Sequence, residues 1–431
     1  MRLKALAGSL SGKLSGGSKR CLSTRCSMGT SQEVMPKVSL RVQKTDAPVI
    51  VNMKKLMASR EDVLSLAQGI VHWSPPPQAL QAASVALAQD PSVHGYGPAE
   101  GLPMLREALR EKIAKRNGLT QHDVLVTAGA NQAFTNIVLA LCDETDNVAL
   151  FTPYYFNHLM AFQMSGSADR VQLGPCNPNT LHPDLDWLEA QLASSNKPRM
   201  VVLVNPCNPT GVCLSEAEVE RAAAACAKAG VWLVLDNTYE DFVYGESKHH
   251  CSSAPNVINV FSFSKAYGAM GWRVGYIAYP TSGGPQLGLE LLKVQDTIPI
   301  CVTQLSQRLA LEALLSGQEY VASQIQDLAG NKAMVLDALS PLGSMGNGIA
   351  GGEGAIYLWA RLPQHAQEDT RAVEWLVKKH GVCVIPGSSC GAPGYIRAAY
   401  ANLKPGDCQR AAGRLKAGLS ELVQDGNALK H

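Results

Sequence analysis

The sequence predicts an α/β protein in which a mainly parallel sheet lies between layers of helices, accompanied by a smaller α+β domain. Short apolar runs alternate with helical stretches through the middle of the chain. These runs are apolar on both faces, as in strands of a covered parallel sheet. A chain of 431 residues is too long to fold around a single ordinary hydrophobic core, so at least two lobes are expected.

One strand–helix–strand unit is well bounded. The apolar runs RMVVLVNP and VWLVLDN flank the helical stretch SEAEVERAAAACAKAG. Ser215 and Glu218 have the spacing of a capping box, and Gly230 stands where a helix C-terminal glycine belongs. A further predicted strand, NVINVFSFS, precedes Lys265. Asn208, Asp236 and Lys265 therefore follow three strands, and the carboxyl ends of such strands are where ligands bind.

The C-terminal third has a different pattern. From about Thr303 the sequence becomes helical, and a long helix is expected to leave the large domain. The segments GAIYLWARL, AVEWLVKKHGVCVIPG and YIRAAYA then predict strand, helix and strand before a closing helix. Glycine- and proline-rich segments at 73–77 and 343–354 predict loops. The predicted division is a tail at 1–35, an N-terminal segment of the small domain at 36–78, a large domain at 79–310, and a linking helix with the C-terminal small domain at 311–431.

The composition limits the kinds of molecule that the protein is expected to bind. A net charge of +2, from 38 basic and 36 acidic residues, gives no excess field to attract nucleic acid or an anionic membrane. Twelve cysteines are scattered without the spacing of a zinc or redox pair, so we expect free thiols and no metal site. No apolar stretch is long enough to span a bilayer. The partner is expected to be a small molecule.

The N-terminus departs from this even charge distribution. Basic residues occur among many serines, and no acidic residue precedes Glu33. This composition resembles an organelle transit peptide, for a plastid or a mitochondrion. The alternatives are a disordered basic tail, or an upstream start with Met28 or Met35 nearer the mature terminus, and the cytoplasm is the alternative location.

The segment SFSKAYGAMGWRVGY suggests the central chemistry. Lys265 lies between an apolar strand and a glycine-rich turn, where an amine is partly desolvated and can act as a nucleophile. Arg273 can bind a phosphate with two hydrogen bonds, and the Ser262 hydroxyl can add another. Together these residues predict a phosphorylated aldehyde cofactor.

Two further segments fit such a cofactor. Asp236 ends an apolar strand, where its carboxylate needs a cation such as a protonated pyridine nitrogen, although capping of a following helix is the alternative. Tyr239 can then bond the ring hydroxyl. The turn NPCNPTG aims the Asn208 amide at the ring oxygen or a substrate carboxylate.

Weaker signals complete the predicted cofactor site. Gly129, Ala130 and Asn131 form a small-residue bend before a predicted helix, whose free backbone amides suit a phosphate. Tyr155, in PYYFN, can stack on the pyridine ring, but an aromatic residue after a strand is more often ordinary core.

The order and spacing of Asn208, Asp236, Tyr239, Ser262, Lys265 and Arg273 closely resemble those of the class I aminotransferases of pyridoxal-phosphate fold type I. The resemblance covers nearly everything after the tail. It implies pyridoxal 5'-phosphate bound by the large domain, and Lys265 as the residue that carries it. In GYGPAEGLPMLREAL, Tyr96 matches the tyrosine that reaches the phosphate across a dimer interface. A homodimer with shared active sites is therefore implied.

Within that family, SLAQGIVHWSPP, PYYFNHLMAFQM and GGEGAIYLWA are most similar to the aromatic aminotransferases of plants and algae. The resemblance implies transfer of amino groups between aromatic amino acids or methionine and 2-oxo acids by a ping-pong mechanism. Arg397 matches the family's carboxylate-binding arginine, and Gly69 matches the glycine next to that carboxylate.

The sequence also indicates which substrate side chains the site prefers. A guanidinium at Arg397, in an apolar setting, can bind a carboxylate with two hydrogen bonds. The stretch KVQDTIPIC offers no second arginine for a distal carboxylate. An apolar or aromatic substrate side chain is therefore favoured, packed against Trp73 and Tyr155.

Other functions share these residues. A cysteine-conjugate β-lyase, a relative of aminocyclopropane-carboxylate synthase, and a kynurenine- or glutamine-type aminotransferase remain alternatives. A non-catalytic ligand-binding regulator on the same fold is disfavoured by the intact Lys265, Asp236, Arg273 and Arg397.

Overall fold

The computed structural model describes residues 36–282 and 286–430, and its largest element is a seven-stranded sheet. The sheet order is β2-β8-β7-β6-β5-β3-β4, and β8 alone runs antiparallel to its neighbours. Its strands are β2 His122–Thr127, β3 Val148–Thr152, β4 Val171–Pro175, β5 Met200–Val204, β6 Trp232–Asp236, β7 Val257–Ser262 and β8 Gly275–Pro280. This arrangement confirms the predicted mainly parallel sheet.

The remaining strands form two smaller sheets. A five-stranded sheet has the order β13-β14-β11-β10-β9, and β1 pairs with β12 in parallel. These strands are β1 Leu64–Ser65, β9 Ser344–Met345, β10 Gly348–Gly351, β11 Tyr357–Arg361, β12 Val382–Cys383, β13 Ile385–Pro386 and β14 Tyr395–Ala399.

Fourteen α-helices are assigned within the described ranges. They are α1 Leu40–Gln43, α2 Val49–Met57, α3 Pro77–Gln89, α4 Pro103–Asn117, α5 Ala130–Leu141, α6 Phe156–Ser165, α7 Leu185–Leu192, α8 Glu216–Ala229, α9 Gln286–Thr297, α10 Gln304–Leu315, α11 Gln318–Gln326, α12 Leu328–Leu339, α13 Asp369–Trp375 and α14 Pro405–Gln424. A π-helical turn, Leu376–His380, continues α13. Short 3₁₀ turns occupy Pro91–His94, Ala168–Arg170, Met270–Trp272, Ser340–Leu342, Gln364–Ala366, Gly387–Cys390 and Ala428–Lys430.

Helices cover both faces of the large sheet. Alternate residues of each strand point to opposite sides, so each face packs in a core of its own. Val202 of β5 packs in a core with residues of α5, α6 and α9. Its neighbours Val201 and Leu203 pack in a separate core with residues of α7 and α8. The apolar runs are thus buried on both sides, as their composition predicted.

Helix α8 begins and ends as predicted. The Ser215 side chain accepts from the Glu218 amide, and the Glu218 carboxylate accepts in return from the Ser215 amide. Gly230 ends the helix in the left-handed conformation, at φ 66°. Both caps are local in sequence, which is why the residues alone predicted them.

Two local predictions are wrong. The expected long helix after Thr303 is three helices, since α10 ends at Leu315 and Gly317 adopts φ 82° before α11. The segment 343–354, expected as a loop, contains β9 and β10. Glycine is needed there, because a Cβ on Gly351 would lie 2.1 Å from the Thr210 carbonyl oxygen.

The described residues from Leu40 onward form one unit by their contacts, and the domain boundaries expected near residues 78 and 310 stay predictions. The predicted tail, residues 1–35, lies outside the described residues. Among the helices described, none has the length and apolarity needed to cross a membrane. All ten cysteines of the described ranges are free thiols, as expected.

Candidate active site

The carboxyl ends of β5, β6 and β7 lie side by side in the large sheet and form the floor of a cavity of about 320 Å³. Parallel strands bring their ends to one edge, so the turns that follow them converge. Asn208, Asp236 and Lys265 therefore meet in this cavity, as predicted. Of the predicted residues, the lining also includes Gly69, Ala130, Asn131, Tyr155, Tyr239, Ser262, Arg273 and Arg397.

Lys265 lies in a tight turn just after β7. Its carbonyl accepts from the Gly268 amide at 3.1 Å, and a Cβ on Gly268 would lie 2.6 Å from the Trp73 carbonyl oxygen. The turn therefore packs directly on the backbone near Trp73. Burial, together with the positive charges of Arg273 and Arg397, lowers the pKa of Lys265 to about 8. Near neutral pH, part of this amine is thus uncharged and able to accept a proton.

Asp236 is the last residue of β6 and is buried. Its Oδ2 lies 3.1 Å from His158 Nε2, and its Oδ1 accepts from the Thr238 amide at 3.0 Å and hydroxyl at 2.6 Å. Burial alone would raise the pKa of Asp236, but His158 and Thr238 hold it below its ordinary value. A turn, not a helix, follows, so the alternative of a helix cap is wrong. The carboxylate can hold a cationic ring nitrogen in the cavity.

Another part of the cavity is formed by the N-terminus of α5 and by Arg273. The first amides of a helix lack acceptors within it and favour an anion. Gly129 precedes α5 at φ 85°, and a Cβ there would lie 2.2 Å from Arg273 Nη2. Glycine thus lets the guanidinium approach the helix end. Ser262 and the buried Ser264 complete a set of donors suited to a phosphate.

Arg397 occupies the third corner of the site and is almost fully buried. Its Nη1 donates to Asn208 Oδ1 at 2.7 Å, and its Nη2 donates to the Ala67 carbonyl at 2.8 Å. Its Nε has no hydrogen-bond partner. Within the described part of the chain, no carboxylate lies within ion-pair distance of this guanidinium. A buried cation without a counterion suits a substrate carboxylate.

Two buried tyrosines form the wall between these corners. The hydroxyls of Tyr239 and Tyr357 share a hydrogen bond, and the Arg397 guanidinium carbon lies 4.2 Å from the centre of the Tyr357 ring. A Cβ on Gly69 would lie 1.9 Å from the Tyr357 hydroxyl oxygen. The absence of a side chain at residue 69 therefore makes room for Tyr357.

Three predicted contacts differ in placement. Gly129 shapes the phosphate end without lining the cavity, and Tyr96 is 83% exposed. Trp73 is buried outside the cavity lining, where its indole N–H donates to the Ala266 carbonyl at 3.2 Å. Contact between Trp73 and the substrate stays a prediction. Tyr155 does line the cavity, and its hydroxyl accepts from Asn157 Nδ2 at 2.9 Å.

Sequence reasoning missed several residues of the site. His158, Thr238, Ser264 and Tyr357 all contact or line it. Thr238 and Ser264 stand next to predicted residues and could have been found from that proximity. His158 follows Tyr155 by three residues, a spacing that places both on one face of a helix. Tyr357 gave no local signal, because its partners Gly69, Tyr239 and Arg397 come from distant parts of the chain.

The cavity fits an anionic, phosphorylated cofactor with an aldehyde and a ring nitrogen. Three cations and one carboxylate line it among the residues described: Lys265, Arg273, Arg397 and Asp236. An amine of lowered pKa suits the aldehyde, the carboxylate suits the ring nitrogen, and the donors at α5 suit the phosphate. Arg397 is left for a second anion, such as the carboxylate of an amino acid.

Comparison with known proteins agrees with this geometry. Residues 61–415 match the family aminotransferase class I and II. The chain is 48% identical to aromatic aminotransferase ISS1 of Arabidopsis thaliana over 390 residues, which cover 90% of this chain and 98% of that protein. It is 28% identical to a probable aspartate/prephenate aminotransferase of Aquifex aeolicus, over 87% of this chain and 95% of that protein.

Solved structures show the same fold. The aspartate aminotransferase of Thermus thermophilus with maleate superposes with a TM-score of 0.80 at 27% identity, covering 89% of this chain and all of that one. The aromatic aminotransferase of Pyrococcus horikoshii gives a TM-score of 0.75 at 26% identity, covering 86% and 99%. Enzymes of this family use pyridoxal phosphate. The chain therefore belongs to the class I and II aminotransferases and is a transaminase that depends on pyridoxal phosphate.

Proposed function

We propose that the enzyme transfers amino groups between aromatic amino acids or methionine and 2-oxo acids. The composition of the cavity is the observation that carries this proposal. Its three cations each have a role near the reacting centre, and Ile50, Ile70, Phe156 and Met270 supply apolar lining. No further cation lines it within the described ranges, so a second substrate carboxylate would be buried without a partner. The name of the 48% identical plant relative supports the same substrate class.

The proposed roles follow from the positions of the side chains. When bound, pyridoxal phosphate supplies an aldehyde for the amino group and a ring that accepts electrons from the α-carbon. Lys265 carries the cofactor and, once its amine is free, moves the α-proton as general base and acid. Asp236 keeps a proton on the ring nitrogen, and Tyr239 donates to the ring oxygen. Arg397 binds the α-carboxylate with two hydrogen bonds, next to Asn208.

A ping-pong mechanism follows from one cavity with one carboxylate-binding arginine. The amino acid and the 2-oxo acid must use Arg397 in turn, so the first product leaves before the second substrate binds. The lyase and kynurenine- or glutamine-type alternatives share these residues. Product analysis separates the lyase, because a β-lyase releases pyruvate, ammonia and a thiol without an amino acceptor, and a comparison of donors that includes kynurenine and glutamine separates the other two.

The substrate class is tested by comparing kcat/KM for phenylalanine, methionine and aspartate with one common 2-oxo acid. Phenylalanine should exceed aspartate by on the order of 100-fold, because burying its side chain contributes about 1.5–3 kcal/mol and the aspartate carboxylate has no partner. Lys265→Ala should remove turnover with all three donors. Aspartate as the best donor would refute the aromatic proposal and support the activity named for the bacterial relatives.

A homodimer with shared active sites is also part of the proposal. Tyr96 is 83% exposed on a loop before α4, and an aromatic side chain so placed suits contact with a second subunit. Variants altered at Tyr96 and at Lys265 should each be inactive, yet regain activity when unfolded and refolded together. Each mixed dimer would contain one site with both residues intact. No recovery, despite measured subunit exchange, would contradict the shared site.

Targeting by residues 1–35 to a plastid or mitochondrion rests on their basic, serine-rich composition. Import of a residues 1–35 fusion into isolated organelles tests it. A fusion that stays outside both would favour the cytoplasm.

A further inference from the structure

Tyr357 contacts both Tyr239 and Arg397 in the cavity. Its hydroxyl shares a hydrogen bond with Tyr239, and its ring lies against the Arg397 guanidinium at 4.2 Å. Tyr357 is 1% exposed, Tyr239 3% and Arg397 1%, so water does not separate the three groups. One side chain therefore contacts both the proposed partner of the cofactor and the proposed partner of the substrate carboxylate.

The register of the five-stranded sheet places this side chain. Trp359 of β11 pairs with Arg397 of β14, and Tyr357 pairs with Ala399. Tyr357 and Arg397 are thus diagonal neighbours on one face, at a distance that an aromatic ring and a long side chain can bridge. A planar guanidinium over a ring face is also a favourable electrostatic contact.

The backbone opposite Tyr357 fixes its hydroxyl. A Cβ on Gly69 would overlap the hydroxyl oxygen, at 1.9 Å, and the next ring carbon, at 2.9 Å. The hydroxyl therefore fills the space that a side chain at residue 69 would need. With Gly69 on one side and Tyr239 on the other, the ring has little freedom to turn away.

The direction of the hydrogen bond follows from the proposed function, on which this inference rests. A tyrosine hydroxyl has one proton and accepts through its lone pairs. Either hydroxyl of the pair can donate to the other. If Tyr239 donates its proton to the ring oxygen of the cofactor, it can only accept from Tyr357, so Tyr357 is the donor.

We propose that Tyr357 is a positioning residue that acts through both neighbours. Its hydroxyl donates to Tyr239 and so directs the Tyr239 proton toward the cofactor ring oxygen. Its ring holds the Arg397 guanidinium in the plane that receives the substrate carboxylate. The two effects use different parts of the side chain, and separate substitutions distinguish them.

Tyr357→Phe removes the hydroxyl and keeps the ring. The readout is the pH titration of the visible absorbance of the bound cofactor, measured without substrate. A hydrogen bond to an anionic ring oxygen favours the deprotonated cofactor, so its loss should raise the titration midpoint, by about half a unit to one unit. Tyr239→Phe should shift the midpoint in the same direction, and the double variant should shift it no further than Tyr239→Phe alone.

Tyr400→Phe is the matched control. Tyr400 is fully buried, and its hydroxyl donates to the Ala355 carbonyl at 2.9 Å, outside the cavity lining. This substitution removes a buried tyrosine hydroxyl that does not bond to Tyr239. The titration midpoint of this variant should equal that of wild type, although its melting temperature should fall.

Tyr357→Leu tests the ring. Without the aromatic face, Arg397 loses its packing, and KM should rise about fivefold or more for phenylalanine and methionine alike. Tyr357→Phe should restore KM to within about twofold of wild type, while the titration shift remains. A general loss of folding would not separate KM from the midpoint in this way.

A wild-type midpoint for Tyr357→Phe, or additive shifts in the double variant, would overturn the role of the hydroxyl. An unchanged KM for Tyr357→Leu would overturn the role of the ring. Failure of the proposed function looks different, because aspartate would then be the best donor of the wild-type enzyme, or Lys265→Ala would retain turnover, whatever the midpoints of the Tyr357 variants.

Discussion

At the scale of single residues, the charge of Asp236 depends on its neighbours as much as on its own position. Burial opposes ionisation, and the His158 ring and the Thr238 hydroxyl and amide outweigh it. His158 is buried, and its ring lies 4.2 Å from that of Phe134 and 5.1 Å from that of Tyr155. These aromatic contacts fix its orientation toward the carboxylate.

Replacing His158 by phenylalanine should therefore weaken cofactor binding at low pH. The ring packing is kept, but the donor to Asp236 is lost, so the pKa of that carboxyl rises. A carboxyl that protonates at higher pH holds a cationic ring nitrogen less well. The affinity of the apoenzyme for pyridoxal phosphate should fall about tenfold or more at mildly acidic pH, since a hydrogen bond to a charged group contributes about 1.5–3 kcal/mol.

The comparison needs affinities from pH 5 to pH 8 and a second buried histidine. His122 of β2 has two buried ring nitrogens without hydrogen-bond partners and does not line the cavity. His122→Phe should leave the pH dependence of cofactor affinity unchanged. If His158→Phe bound the cofactor as wild type does at every pH, the role given to His158 would be wrong.

Residues at strand ends were predictable for a physical reason. A lysine, an aspartate or an asparagine at or within a few residues of the end of an apolar run stands where the ligands of a parallel sheet bind. Lys265, Asp236 and Asn208 were found in this way. Tyr357 was not, because its role depends on the pairing of β11 with β14, and a register cannot be read from one strand.

At the scale of elements, features that depend on neighbouring residues were predicted correctly, and features that depend on the tertiary structure were not. The caps of α8 involve residues at most a few positions apart, and they were predicted correctly. The helix expected after Thr303 is interrupted by Gly317, whose φ of 82° leaves the α-helical region. Helical periodicity on both sides of a glycine does not reveal whether the backbone turns there.

The strands of segment 343–354 were hidden by their composition. Glycine weakens a strand and usually marks a turn. Here a Cβ on Gly211 would lie 2.4 Å from the Tyr357 carbonyl oxygen, and one on Gly354 would lie 2.4 Å from the Pro206 side chain. The glycines therefore allow the turn that carries Asn208 to pack closely on the sheet that carries Arg397, an arrangement only the tertiary structure reveals.

At the scale of the whole molecule, a cluster of charges, from the buried Lys112 to the exposed Arg116, joins α4 to the turn that follows Asp236. Lys112 forms an ion pair with Glu240, and Arg116 Nη2 lies 2.7 Å from Asp241 Oδ1. His249 Nε2 lies 2.9 Å from Asn237 Oδ1 beside this cluster. Because the cluster anchors the turn carrying Tyr239, the stability of the fold and the geometry of the site respond together to its protonation.

His249 should make the stability of the protein sensitive to mild acid. Burial chiefly lowers its pKa to about 4, with Lys112 acting in the same direction and Glu240 opposing it. The unfolded chain takes up a proton near pH 6.5, whereas the folded protein takes it up only near pH 4. Stability should therefore fall as pH drops through that window, by up to about 3 kcal/mol.

His249→Gln keeps a donor for Asn237 Oδ1 and removes the titration. The melting temperatures of wild type and variant holoenzyme, measured from pH 8 to pH 4.5, give the test, with pH 8 as the baseline where the histidine is neutral in both states. Between pH 6.5 and pH 4.5, the melting temperature of the variant should fall by fewer degrees than that of wild type. The comparison stops at pH 4.5, because the neighbouring cations outweigh burial and lower the pKa of Glu240 to about 2, so below about pH 4.5 its protonation begins to reduce the stability of both proteins. Identical curves down to pH 4.5 would show that folding does not lower the pKa of His249.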